Sequence, residues 1–149
     1  MLKRIAELDS GAVLITGNGR RLARIYLNAW TRRGMRVLAE YLPFQVEGDV
    51  YIGSPFDGKD FDAYLIVNPL SRPKEEREAL YEWLSKNRDK LVLLYEGKYI
   101  KDSITRYRIK DFIDYLIAYK RETVGFEQVD VMRLENGRVV ESKTYIRRY

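Results

Sequence analysis

Apolar positions along the chain follow two patterns. Short runs of five residues at 12–16, 63–67 and 91–95 carry almost no polar alternation and end at Gly, Asn or a charged residue. Runs of that length predict strands covered on both faces, as in a parallel sheet. Other segments space their apolar residues at the helical period. The first, 1–8, is broken by Asp9-Ser10-Gly11. The second follows Gly17-Asn18-Gly19-Arg20-Arg21 and ends at Gly34, which suits a residue just past a helix. Its apolar stripe is Leu22, Ile25, Tyr26, Ala29 and Trp30; Arg20, Arg24, Asn28 and Thr31 lie opposite. A strand over 35–42 then makes 12–42 a strand–helix–strand unit, which favours parallel pairing and a right-handed crossover.

Downstream, 43–62 is irregular, with a strand over 49–52 and turns at Ser54-Pro55 and Asp57-Gly58. Ser71-Arg72-Pro73 opens a helix that carries Glu75, Glu76 and Glu78 at its positive end and Lys86 and Arg88 at the other. Its Leu80, Trp83 and Leu84 face inward. The spacing predicts the longest helix over 102–122, capped by Asp102 or Ser103. One face would be Ile109, Phe112, Ile113 and Leu116; the other Ile104, Tyr107, Arg108, Tyr115 and Tyr119. Alternating runs at 129–134 and 139–145 flank Asn136-Gly137, a strong hairpin signal. The pattern as a whole predicts one α/β domain over 1–149. It has a mostly parallel sheet of three or four strands, helices on both sides, and a C-terminal antiparallel hairpin.

Composition narrows the chemistry. The 149 residues include no cysteine and no histidine. That excludes disulfides, thiolate metal sites, cysteine nucleophiles and histidine bases. No catalytic residue stands out, and neither a cofactor nor a metal is expected. The cluster Glu47, Asp49, Asp57, Asp60 and Asp62 matches no metal-binding spacing and reads as an acidic turn. No apolar run reaches the ~18–20 residues that span a bilayer, and no signal peptide opens the chain. The expectation is a soluble cytoplasmic protein away from membranes. A 33% charged content with no cysteine also suits a thermophile.

Charge is unevenly placed. The net charge is +5, and residues 1–40 account for it with eight basic groups against three acidic ones. Residues 98–121 add seven basic groups against three acidic. Clustered positive charge attracts polyanions. The loop Gly17-Asn18-Gly19, between a strand and a helix N-terminus, is a candidate phosphate cradle, and Arg20 and Arg21 add donors. It has neither the G-K-[ST] ending of a P-loop nor the third glycine of a dinucleotide fingerprint. Rings and cations also mingle: there are 12 tyrosines, several beside basic residues, as in Arg106-Tyr107-Arg108. Such mixtures bind single strands, rings stacking on bases and cations on phosphates. The same tyrosine face could instead be buried or form a homodimer. The leading expectation is a non-enzymatic, sequence-tolerant binder of single-stranded nucleic acid. Arg20, Arg21 and Arg24 would hold phosphates, Tyr107, Tyr115 and Tyr119 would stack bases, and Arg108 and Lys101 would line the path.

Two resemblances accompany this reading. Residues 13–37 resemble the first loop of sugar isomerase (SIS) domains, in which a strand runs into a Gly-x-Gly-Arg-Ser-type loop and then a helix; here Arg21 stands at the serine. That resemblance implies a phosphosugar- or nucleotide-binding domain, with Gly17, Asn18 and Gly19 at the phosphate. In character, a small histidine-free chain rich in Tyr and Arg looks like the ThermoDBP-type single-stranded-DNA-binding proteins of thermophilic archaea. That resemblance implies single-stranded DNA as partner and carries no residue assignment.

Overall fold

The computed structural model describes residues 1–121 and 125–148, the Arg121 side chain excepted; Tyr149 and the expected helix end at 122 lie outside the described residues. The elements run α1 (Leu2–Ala6), β1 (Gly11–Thr16), α2 (Arg20–Arg32), β2 (Val37–Ala39), β3 (Val50–Ile52), β4 (Ala63–Val67), α3 (Lys74–Lys86), β5 (Leu91–Glu96), α4 (Ser103–Arg106), a 3₁₀ turn (Ile109–Asp111), β6 (Tyr115–Arg121), β7 (Phe126–Glu135) and β8 (Arg138–Arg148). The class is α/β, with the expected antiparallel hairpin at the end. The sheet is larger than the three or four strands expected: eight strands in the order β3-β2-β4-β5-β1-β6-β7-β8. From β3 to β6 all pairings are parallel; β7 and β8 add antiparallel pairings.

The three unbroken apolar runs became β1, β4 and β5, the buried centre of the sheet. Alternate residues of each strand feed two cores. Val13 and Ile15 pack beneath α1 and α2 with Ala23, Tyr26, Leu27 and Trp30. Ala12 and Leu14 pack on the other face beneath α3 and the α4 segment, with Leu80, Leu84 and Ile109. The α2 stripe is therefore rotated from the expected one. Ala23 and Leu27 are buried, whereas Ile25 is 48% exposed. Asn28, expected on the polar face, is buried and accepts the Glu47 amide at 2.9 Å.

The expected helix over 102–122 does not form. One turn of helix ends at Tyr107, Arg108 adopts a left-handed φ of 57°, and after the 3₁₀ turn the chain enters β6. Tyr115–Tyr119 is a five-residue apolar run of the same kind as the other buried strands, and it fills the slot between β1 and β7. Asp114 fixes its start: its Oδ2 accepts the Ala12 amide at 2.9 Å, and its own amide donates to the Ala12 carbonyl at 2.8 Å. Pairing with β1 on one side and β7 on the other overrides the helical spacing.

The hairpin is longer than expected, with a bulge between Arg133 and Leu134. Asn136 and Gly137 have φ of 51° and 76°, the two positive values a tight primed turn needs.

Candidate nucleic-acid interface

The candidate site forms where β1 ends. From Thr16 the chain turns into α2 on one face, while the neighbouring strand β5 connects through the α4 segment on the other. Adjacent strands whose connections part in this way open a crevice at their carboxyl ends. β8 runs in the same direction as β6, so its end arrives at the same side of the sheet. On the β6 side of the β1 end lies a pocket of about 580 Å³, lined by Asn18, Arg20, Arg21, Leu22, Arg24, Ile25, Tyr119, Glu127 and Arg147. A groove across the first turns of α2 adjoins it, sharing Arg20 and Arg24 and reaching Asn28 and residues 42–47.

The two glycines have a packing reason. Gly17 has φ +91°, and a methyl group there would stand 2.4 Å from the Tyr119 carbonyl. A methyl at Gly19 would stand 2.4 Å from Ile15 and 2.7 Å from the Tyr119 ring. Their amides are also engaged: Gly17 donates to the Glu96 carbonyl at 3.0 Å and Gly19 to the Gly17 carbonyl at 2.8 Å. The loop therefore offers fewer amides to an anion than its composition implies. The donors that remain are those of the first turn of α2, from Arg20 to Leu22, which helix geometry leaves without intrahelical partners.

That helix end is electrostatically inverted. It has no acidic residue in its first turn and no side-chain cap, and Arg20, Arg21 and Arg24 crowd the positive end of its dipole. α3 follows the usual order, with Glu75 and Glu76 first and Lys86 last. An inverted end is unfavourable in the absence of an anion, by about 0.3–1 kcal/mol for each misplaced charge.

Arg147 and Arg21 both act on the Tyr119 hydroxyl, holding its pKa down, but burial and the neighbouring Glu127 carboxylate outweigh them and push it up to about 12. Arg20 donates to the Pro43 carbonyl and lies near the Tyr95 phenol.

Of the expected residues, Arg20, Arg21, Arg24, Tyr119 and Asn18 meet around one pocket. Tyr115 lies on the same sheet face but is only 5% exposed, inside the core. Tyr107 and Arg108 lie on the opposite face, against α3. Lys101 is exposed in the turn before α4. The single tyrosine row expected on one helix face is thus divided by the sheet, because its carrier is a strand and a turn. The helical face that the alternative homodimer would use is likewise absent, since its residues fall on a turn and on β6. Arg147 joins the pocket residues through the hairpin's registered pairing with β6, and Glu127 is its direct cross-strand partner on β7.

The loop after β4 is tied to a carboxylate. Buried Glu96 accepts the Leu70 amide at 2.9 Å and the Ser71 hydroxyl at 2.7 Å. The acidic cluster is dispersed: Glu47 pairs with Arg32, Asp60 with Lys90, and Asp62 accepts the Arg36 amide. Among the described residues no three carboxylates gather where a metal ion could sit, and no helix is long and apolar enough to cross a membrane.

No protein-family model matches the chain, and no curated protein matches it. Among solved structures it is similar to the N-terminal domain of zonular occludens toxin from Neisseria meningitidis, with a TM-score of 0.49 and 10% sequence identity over 93% of this chain and 94% of that one.

Proposed function

We propose that this protein binds single-stranded nucleic acid through the phosphate backbone, with little sequence selectivity and without catalysis. The observation that carries the reading is the convergence of Arg20, Arg21, Arg24 and Arg147, from a helix end and a strand end, on one concavity that continues as a groove across α2. Guanidinium groups chelate phosphates, and an extended track suits a polymer better than a compact anion. Ile25 and Leu22 supply apolar surface beside the cations, which unpaired bases can cover and the phosphate exterior of a duplex cannot. Tyr119 is half-buried and offers a ring edge. Stacking therefore contributes less than the twelve tyrosines imply, and phosphate contact contributes more.

Fluorescence anisotropy with labelled oligonucleotides over a salt series tests this. Affinity should fall linearly with the logarithm of salt, and Arg21→Ala and Arg147→Ala should each make the slope shallower by about 0.7. Absence of binding to any single strand at low salt overturns the reading.

A second reading rests on the position of the pocket beside the carboxyl end of β1, the side of the sheet where α/β folds hold compact phosphorylated ligands. Thermal stabilisation by one sugar phosphate or nucleotide, with no response to oligonucleotides, would favour it.

A further inference from the structure

The opposite face of the sheet holds a second pocket, of about 510 Å³, between α3 and the turn that follows α4. Its floor is aromatic. Tyr81 and Phe112 stack at 4.8 Å with 13° between their planes. The Tyr81 hydroxyl donates to the Tyr107 carbonyl at 2.6 Å, which ties the floor to the turn. Above Tyr107 lie two guanidinium groups, Arg77 at 5.2 Å and Arg106 at 5.4 Å from the ring centre. Arg108 completes the wall from a left-handed backbone conformation, φ 57°, that residues with a β-carbon avoid.

The charge around this pocket is not balanced. Glu78 pairs with Lys74 and Glu82 with Lys86. Asp111 directs its Oδ1 at the hairpin turn, 2.3 Å from where a methyl on Gly137 would stand. Arg77 donates to the Arg72 carbonyl. Arg106 and Arg108 are left at the rim, and among the described residues neither has a carboxylate partner. An aromatic floor under two uncompensated guanidinium groups, at a volume that suits a small molecule, defines the complementary ligand: a flat ring carrying a phosphate. A ring can stack on the phenol or on the guanidinium plane above it.

We infer that this pocket binds a mononucleotide, its base against Tyr107 and Phe112 and its phosphate at Arg106 and Arg108. The ligand can be a free nucleotide or the terminal nucleotide of a strand, since both present the same chemistry. The site is separate from the arginine groove at α2 and does not depend on that groove binding anything.

Calorimetric titration with adenosine monophosphate tests the inference, with adenosine and inorganic phosphate as controls. Adenosine monophosphate should bind saturably, with each half binding at least about tenfold more weakly. The double variant Arg106→Ala/Arg108→Ala should weaken binding by about tenfold or more. The variant alters exposed side chains, and circular dichroism verifies its fold. Competition by a 5′-phosphorylated oligonucleotide identifies a strand end as the source; absence of competition identifies the free nucleotide. The inference is overturned if adenosine monophosphate does not bind at millimolar concentration. It is also overturned if binding survives Arg106→Ala/Arg108→Ala undiminished. Loss of oligonucleotide binding alone bears on the α2 groove and not on this pocket.

Discussion

The ring of Tyr119 lies against Gly19, so closely that a methyl group there would stand 2.7 Å from its Cε2 atom. A residue on β6 thereby shapes the loop that leads into α2, and the ring and the arginine-rich helix end share one pocket.

Gly19→Ala should destabilise the protein by roughly 2–3 kcal/mol, because the new methyl also meets Ile15 at 2.4 Å and both neighbours are held by the sheet. Thermal unfolding should shift down by about 4–12 °C for a chain of this size. An unchanged midpoint would contradict the packing described.

Arg21→Glu should have opposite effects on stability and binding. Placing an acid in the first turn of α2 corrects the inverted dipole and should stabilise the protein by about 0.3–1 kcal/mol. The same change places a carboxylate in the proposed phosphate groove and should abolish oligonucleotide binding. Denaturant unfolding and anisotropy on one preparation check both. Loss of stability would show that Arg21 serves the fold and not a ligand.

Alkaline pH should unfold the protein in a defined window. The Tyr119 phenol, at 10.0 ordinarily, is pushed up to about 12, and burial raises Tyr26 as well. Between these values the unfolded chain has released protons that the folded one retains, so stability is full below about pH 10 and falls as pH rises toward 12. Melting curves across that range should show the decline, and Tyr119→Phe should flatten it. An equal decline in the variant would remove Tyr119 as a cause.

Glu96→Ala should cost roughly 2–3 kcal/mol, since it leaves the Leu70 amide and the Ser71 hydroxyl without their acceptor. Ser71→Ala should cost about 1 kcal/mol, as one partner is lost and the other kept. Chemical denaturation resolves the difference, and equal costs would argue against a shared carboxylate.

Gly137→Ala should cost roughly 1–3 kcal/mol: its φ is +76°, and the added methyl would stand 2.3 Å from Asp111 Oδ1. Hydrogen exchange should locate the loss in β7, β8 and the 3₁₀ turn. A loss confined elsewhere would separate the turn from the hairpin.

What was legible along the chain was local. Unbroken apolar runs identify β1, β4 and β5, because strands buried on both faces leave little room for polar residues except at their ends. Asn136-Gly137 marks the hairpin, because few residue pairs accept two positive φ values. The arginines at the start of α2 and the glycines before them are visible as a cationic loop. Tertiary structure decided the rest. Residues 115–119 satisfy helical and strand spacing equally, and only the open slot between β1 and β7 selects the strand. That selection sends Tyr115 into the core, sets Tyr119 over Gly19, and leaves Tyr107 and Arg108 on the far face. Arg147, 126 residues beyond Arg21, reaches the pocket only through the register of two antiparallel pairs. Local pattern reports what a segment can bury, whereas which side chains meet depends on where its partners leave room.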